Sequence, residues 1–424
     1  MILKPYVILV ALLGGAYSLF LNVISFLSAK NPTPKNLRDV YDEETYEKWK
    51  KYTAEHGKLK IVSSVVSTVI TLLLLMTNAH AAFASLFPYT WNWQIFAVIL
   101  LECVVSTIVG VIVGYIATMK IEGKYGFNRS SLLTFAFDKV FLFVGELLLS
   151  YGLAGIIGFL YEDFGVWMIP VFAIICCVLS LWGAATYPII ARLKNKFTTL
   201  EDGELKDALK SLLDKYGYKV KAVKIMDASR RTTKLNAYFT GFGKMKTIVL
   251  YDNLIKTLST EEICAVFAHE LGHGLHKDGL KAQALNAINY LLIGAMAYAA
   301  VSELTFYSDF GFIYDVTAEG VILVTLNYGF AFVLLGIGLS VLRPIIGFVM
   351  NARSRKAEYR ADRQAVIEGY GDALISAFKK MARENFSNLS PSFINVILEY
   401  SHPPLDRRIK NVERCMRRLE RRGK

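Results

Sequence analysis

The stretch Ala268-His269-Glu270-Leu271-Gly272-His273-Gly274 lies just ahead of an apolar run from Ala284 to Leu304. Glu358 lies about eight residues beyond the next run, Val321 to Met350. A run of about 20 apolar residues crosses the ~30 Å hydrocarbon layer as one helix. Two consecutive crossings form a hairpin whose ends emerge on the same side. Two imidazoles and a distant carboxylate are therefore expected to meet at one membrane face.

Five further stretches are long enough to cross: approximately Pro5 to Ser28, Ile61 to Phe87, Ile95 to Met119, Val140 to Tyr161 and Val166 to Ala191. Core helices of a large soluble protein would be shorter and more amphipathic. The first run exceeds the apolar part of a signal peptide and has only Lys4 ahead of it, so it reads as a retained anchor. The expected fold is mostly α, a polytopic membrane protein with seven transmembrane helices and an α+β domain. The chain divides into residues 1–191 with five helices, a polar segment 192–283, helices six and seven over 284–350, and a polar tail 351–424.

Charge orients the chain. Lys30, Lys35, Arg38, Lys48, Lys50, Lys51, Lys58 and Lys60 lie between the first two runs, and Lys120, Lys124, Arg129 and Lys139 between the third and fourth. The connections Pro88 to Gln94, Glu162 to Gly165 and Thr305 to Gly320 contain no Lys or Arg. Basic loops stay in the cytoplasm, so the C-terminus and the His-Glu motif are expected on the cytoplasmic side. The membrane is then the plasma membrane of a prokaryote or the endoplasmic reticulum of a eukaryote. The net charge of +12 also reflects the tail Arg414-Cys415-Met416-Arg417-Arg418-Leu419-Glu420-Arg421-Arg422. Beside a membrane that tail suits anionic lipid or plain solvation, and no nucleic-acid partner is expected. The five cysteines lack metal-site spacing and read as ordinary small apolar residues.

Within 192–283, Glu204 to Tyr216 has a helical pattern ending near Gly217. Thr247 to Tyr251 reads as a strand, and Asn236 to Gly241 as a second one stopped by its glycine. Ser259-Thr260-Glu261-Glu262 is a capping box opening a helix that carries the His-Glu motif and ends around Asp278-Gly279. In the first basic loop, Asp42 to Trp49 fits either an amphipathic helix lying over the membrane face or a solvated charge run.

Residues four apart share a helical face, so His269 and His273 can present two nitrogens to one ion. Catalytic zinc takes three protein ligands and keeps a fourth position for water. Glu270, beside the first ligand, is placed to accept a proton from that water and pass it to a leaving amine. His276 stands about 10.5 Å along the helix from His269, too far to share a single ion easily. A carboxylate from elsewhere serves better. Glu358 and Asp362 lie on one helical face, the first able to bind zinc and the second to hydrogen-bond a ligand histidine. The plainer reading of that pair is a salt bridge to Arg355 or Arg363.

With these motifs the chain resembles the type-I CAAX prenyl proteases, integral-membrane zinc endopeptidases. The resemblance rests on Glu44-Thr45-Tyr46-Glu47-Lys48, Ile121-Glu122, Tyr125-Gly126-Phe127-Asn128, Asn236-Ala237-Tyr238 and Ile248-Val249-Leu250-Tyr251-Asp252. It continues through the His-Glu motif, Ser354-Arg355 with Glu358 and Ala361-Asp362, and His402-Pro403-Pro404 with Arg408. Heat-shock membrane proteases share the polar-side motifs, while seven runs and the two loop motifs favour the CAAX branch.

The resemblance implies a Zn2+ ion on His269, His273 and Glu358, with Asp362 in support. It implies a substrate-pairing edge strand at Asn236, Ala237 and Tyr238, and His402 and Arg408 near the metal. A role for His402 is to face the oxyanion. From residues alone it reads as a surface histidine before a Pro-Pro turn. Arg408 either binds a substrate carboxylate or braces Asp362. The helices are expected to enclose a chamber. Glu102, Glu146, Asn78, His80 and Asn327 either face it or bond between helices. The implied partners are a prenylated substrate and membrane lipids, and the implied activity is cleavage near the C-terminus of CAAX-type substrates. The alternatives are quality-control proteolysis and a non-enzymatic transporter or scaffold with structural zinc.

Overall fold

The computed structural model describes residues 2–218, 222–240, 247–316 and 322–422. Among the described residues six continuous helical stretches are long and apolar enough to cross a membrane, and one of them runs 55 residues from Leu132 to Thr186. At 1.5 Å per residue that stretch far exceeds a bilayer. It breaks at Gly165, whose φ of 52° only glycine adopts readily, into helices Leu132–Phe164 and Met168–Lys194.

The second and last apolar runs begin and end differently from expectation. The charged block at Asp42 opens a single 34-residue helix, Glu43–Met76, that continues into the second run. Asp42 caps it by accepting from Thr45 N–H at 2.8 Å, and with no proline ahead nothing halts the helix before the apolar part. It is therefore not a separate surface helix. The run ends at Asn78, which is left-handed at φ 56°, and not at Phe87. At the other end Val321 lies outside the described residues. Ile322–Val324 is a strand paired with Ile313–Val316, and the last long helix starts only at Tyr328, capped by Asn327.

That last helix, Tyr328–Ile367, has 40 residues and runs through residues 350 and 351 without interruption. It spans about 60 Å, with Pro344 inside it, so one continuous helix carries an apolar half and, one turn or more beyond it, Glu358 and Asp362. The helix Asp278–Ser302 likewise runs across 283 and 284.

Between helices Lys4–Ser28, Glu43–Met76, Trp91–Gly114, Leu132–Phe164 and Tyr328–Ile367 lies a cavity of about 870 Å³. Ser64, Ser67, Thr68, Glu102 and Glu146 line part of it. The intramembrane polar residues divide between the two expected uses. Glu102 and Glu146 face the cavity, whereas Asn327 donates to Gln94 C=O at 3.3 Å and Asn78 accepts from Lys4 Nζ at 2.6 Å. His80 is buried and bonds the cavity-lining Glu102 at 2.6 Å, so it belongs to the second use.

The polar half holds a four-stranded sheet: β1 (Phe197–Thr199), β2 (Ala222–Met226), β3 (Ala237–Thr240) and β4 (Thr247–Tyr251), in the order β1-β2-β4-β3. β2 and β4 are parallel, and β3 runs antiparallel to β4 at the edge. Gly241, expected to stop β3, lies outside the described residues. Helices Glu204–Lys215 and Thr260–Leu275 cover the sheet, burying Leu209, Leu250, Leu254, Phe267 and Leu271 together. At about 1.5–3 kcal/mol per buried large apolar side chain, this core holds the motif helix in place. All five cysteines are free, and Cys264 packs in that same core.

Candidate active site

The motif helix begins where its local sequence dictates. Ser259 Oγ accepts from Glu262 N–H at 3.2 Å while the Glu262 carboxylate accepts from Ser259 N–H at 2.8 Å, a complete capping box. Glu262 is also held by Lys380 at 2.8 Å and Ser376 at 2.6 Å, tying the helix start to helix Gly371–Glu384. The helix ends at Leu275, earlier than expected. Lys277 turns left-handed at φ 54°, and Asp278 opens the next helix.

Gly272 explains how the two motif helices meet. A Cβ there would stand 2.9 Å from Ala361 Cα and 3.0 Å from Gln364 Cβ. Glycine inside a helix costs about 1 kcal/mol, and here it permits the backbone approach that brings Glu358 to the histidines.

One ligand atom each from His269, His273 and Glu358 lies within 4.8 Å of the others. Glu358 Oε1 is 3.3 Å from His273 Nε2, and Oε2 is 3.5 Å from His269 Nε2. The far nitrogens are held by carboxylates: His269 Nδ1 by Asp362 at 2.9 Å and His273 Nδ1 by Asp278 at 3.1 Å. A carboxylate accepting from each Nδ1–H turns each Nε2 toward Glu358, where a bound cation would take the place of the His273 Nε2 proton. Glu358 Oε2 is buried without a hydrogen bond, with His269 Nε2 at 3.5 Å and Arg408 Nη1 at 3.3 Å from it. Two imidazoles and a carboxylate so aligned fit a divalent cation of the zinc type.

Charge within the site is balanced. Burial pushes the Glu358 carboxyl up, but the His273 hydrogen bond and the Arg408 and His269 charges outweigh it and hold it at about 2. Burial pulls His273 down, and Glu358 and Asp278 together raise it to about 9. Asp362 is fully buried, yet Arg408 and His269 keep it below the ordinary aspartate range. Arg408 meets Asp362 at 2.6 and 3.1 Å and Glu358 at 3.3 Å, with its guanidinium 4.1 Å above the Phe378 ring.

His402 Nε2 lies 3.3 Å from Glu358 Oε1, and its ring is largely solvent-exposed. Pro404 precedes the helix Leu405–Glu420, and the Pro-Pro turn brings His402 to Glu358 Oε1 and, one turn into the helix, Arg408 to Oε2. Arg355 does not pair with Glu358. It donates to the carbonyls of Val396 and Tyr400, both at 2.7 Å, and shapes the chain leading to His402. Glu270 is half-buried on the motif helix. His276 is exposed at the helix end and outside the cluster. Asn236, Ala237 and Tyr238 open the edge strand, where Asn236 C=O accepts from Tyr251 N–H at 3.1 Å.

Sequence reasoning missed Asp278, Arg360 bonding it at 2.7 Å, and Phe378 beneath Arg408. Asp278 stands five residues past His273, a spacing that faces the histidine only because Lys277 leaves the helix.

Residues 199–416 match the model of peptidase family M48, and residues 23–196 match that of the CAAX prenyl protease N-terminal region with five membrane helices. The chain is 29% identical to CAAX prenyl protease 1 of Saccharomyces cerevisiae over 89% of this chain and 87% of that one. It is 28% identical to the CAAX prenyl protease 1 homolog of Arabidopsis thaliana, covering 94% of each. The crystal structure of S. mikatae Ste24p superposes with a TM-score of 0.86 at 27% identity, covering 97% of this chain and 99% of that one. The chain belongs to peptidase family M48, as an integral-membrane metalloendopeptidase of the CAAX prenyl protease branch.

Proposed function

We propose that the protein is a zinc endopeptidase that cleaves near the C-terminus of prenylated CAAX-type substrates. In this reading Leu132–Phe164 and Met168–Lys194 are separate crossings, seven in all, and the polar half faces the cytoplasm. The carrying observation is the convergence of His269, His273 and Glu358 beside Glu270, at the foot of helices that run into the apolar half.

His269 Nε2, His273 Nε2 and Glu358 would hold the ion. When bound, zinc lowers the pKa of water towards about 7 and polarises the scissile carbonyl. Glu270 takes the proton from the attacking water and delivers it to the leaving amine. His402, open to solvent beside Glu358, donates to the oxyanion that forms on the carbonyl. Asp362 and Asp278 hold the ligand histidines in one tautomer, and Arg408 fixes Asp362 and balances its charge. The segment Asn236-Ala237-Tyr238 lies at the sheet edge, where the outward backbone groups of Ala237 pair with extended substrate backbone.

The test is cleavage of a farnesylated CAAX peptide by purified protein, with Glu270→Ala as control. The expected result is zinc-dependent hydrolysis by the parent, abolished by chelation and by the substitution. Equal turnover by both proteins sinks the proposal. Indifference to the farnesyl group with ready digestion of unfolded membrane proteins would assign the same chemistry to quality control.

A further inference from the structure

The outer side of the segment leading into β3 is closed residue by residue, and the closure stops at one side chain. Asn236 C=O points inward to Tyr251, so strand alternation turns the backbone groups of Leu235, Ala237 and Phe239 outward. Upstream, Arg231 C=O accepts from Arg129 N–H at 3.0 Å and Thr233 N–H donates to Phe127 C=O at 3.2 Å. Asn128 and Thr232 form an isolated antiparallel bridge between those two bonds. Leu235 N–H then donates to Asn385 Oδ1 at 2.8 Å, and Leu235 C=O accepts from Asn385 Nδ2 at 3.0 Å. The side-chain amide of Asn385 therefore occupies the place of one peptide group of a neighbouring strand. Beyond it, no strand among the described residues pairs with the outer side of β3. Among the described residues Ala237 N–H is met locally, by Asn236 Oδ1 at 3.0 Å.

Asn385 is held firmly in this position. It follows helix Gly371–Glu384 and precedes Phe386, a left-handed non-glycine residue at φ 51°. The Phe386 ring sits edge-on among Tyr41, Tyr52 and Phe127, at centroid distances of 6.2, 5.5 and 4.8 Å. Lys234, next to Leu235, bonds Glu122 at 2.6 Å and Tyr52 at 3.2 Å. The two basic loops thus supply the socket that aims Asn385 and anchors the chain it grips.

We infer that Asn385 is a positioning residue that sets substrate register: it closes the sheet edge at Leu235, so an extended peptide pairs with Ala237 and Phe239 and no further. This rests on the edge-strand reading above. Outward groups recur every second residue, so freeing Leu235 adds one pairing step and lets the peptide slide by two residues. A different peptide bond then reaches Glu270.

Two measurements on full-length protein test this. Mass spectrometry of the farnesylated peptide digested by Asn385→Ala and Asn385→Asp should show a second product pair displaced by two residues. It should come with a raised KM and a kcat for the original bond little changed. Unmoved products from variants that bind zinc normally overturn the register stop. Hydrogen exchange at Leu235 in the unaltered protein needs no variant: protection like that of Val249 supports the closure, and exchange as fast as an exposed turn overturns it. N-methylation of the peptide, residue by residue, probes the underlying reading separately. Alternate positions should raise KM. A flat profile removes edge pairing itself, whereas an alternating profile with unmoved products removes only the role of Asn385.

Discussion

Arg408 grips both oxygens of Asp362, at 2.6 and 3.1 Å, while Asp362 holds His269 Nδ1 at 2.9 Å. A residue 139 positions along the chain thereby orients the first motif histidine, and its Nη2 also lies 3.3 Å from His269 Nδ1 and 3.4 Å from Nε2.

Replacing Arg408 with Met should therefore strand a buried carboxylate. Breaking a buried pair by removing one partner costs about 3–5 kcal/mol. Arg408→Lys keeps the charge but not the two-pronged geometry, and should retain more stability than Arg408→Met. Thermal denaturation and metal content of both variants, measured side by side, check the order.

Gly272→Ala should disrupt the meeting of the motif helix with the Glu358 helix, because the new Cβ would lie 2.9 Å from Ala361 Cα. Overpacking of this kind costs about 1–3 kcal/mol. Gly279 is also helical but has nothing within 4 Å of its Cβ position, so Gly279→Ala should stabilise by up to about 1 kcal/mol. Opposite shifts in melting temperature are the expected readout.

Asp278→Asn removes the carboxylate behind His273. Losing such a partner should weaken metal binding roughly 10- to 100-fold, with the fold intact. Arg360→Ala, whose pair with Asp278 is partly exposed, should have a smaller effect. Chelator competition titrations give both affinities.

The acid limb of stability should depend on Glu262. Burial raises its carboxyl, but Lys380, Ser376 and the Ser259 N–H outweigh burial and hold it below its ordinary value near 4.5. A carboxyl lowered in the folded state contributes stability that is fully present above that ordinary value. The contribution is lost as pH falls through the lowered one. Glu262→Gln should flatten stability against pH in that window and leave neutral-pH cleavage of the peptide in place. An unchanged acid limb would remove Glu262 from the account.

Several parts of the site were legible because they are local. The capping box at Ser259, the shared face of His269 and His273, and the exclusion of His276 by helical rise all follow from spacing along one helix. Glu358 with Asp362 was legible as a pair for the same reason. Helix ends were less so. Asn78 and Lys277 adopt left-handed backbone that no glycine announces, and the charged block after Asp42 merged with the next apolar run because no proline separates them.

Periodicity and run length in the amino-acid chain determined that this protein is a bundle of membrane-length helices with a polar α+β half, and which helix bears the metal-binding motif. Only the tertiary structure decided that Arg408 braces Asp362, that Asp278 backs His273 and that Asn385 closes the edge at Leu235. Those pairings join residues far apart in the chain or across a helix break. Their geometry depends on how rigid helices pack, above all on the close approach that Gly272 allows, and no local pattern encodes that distance.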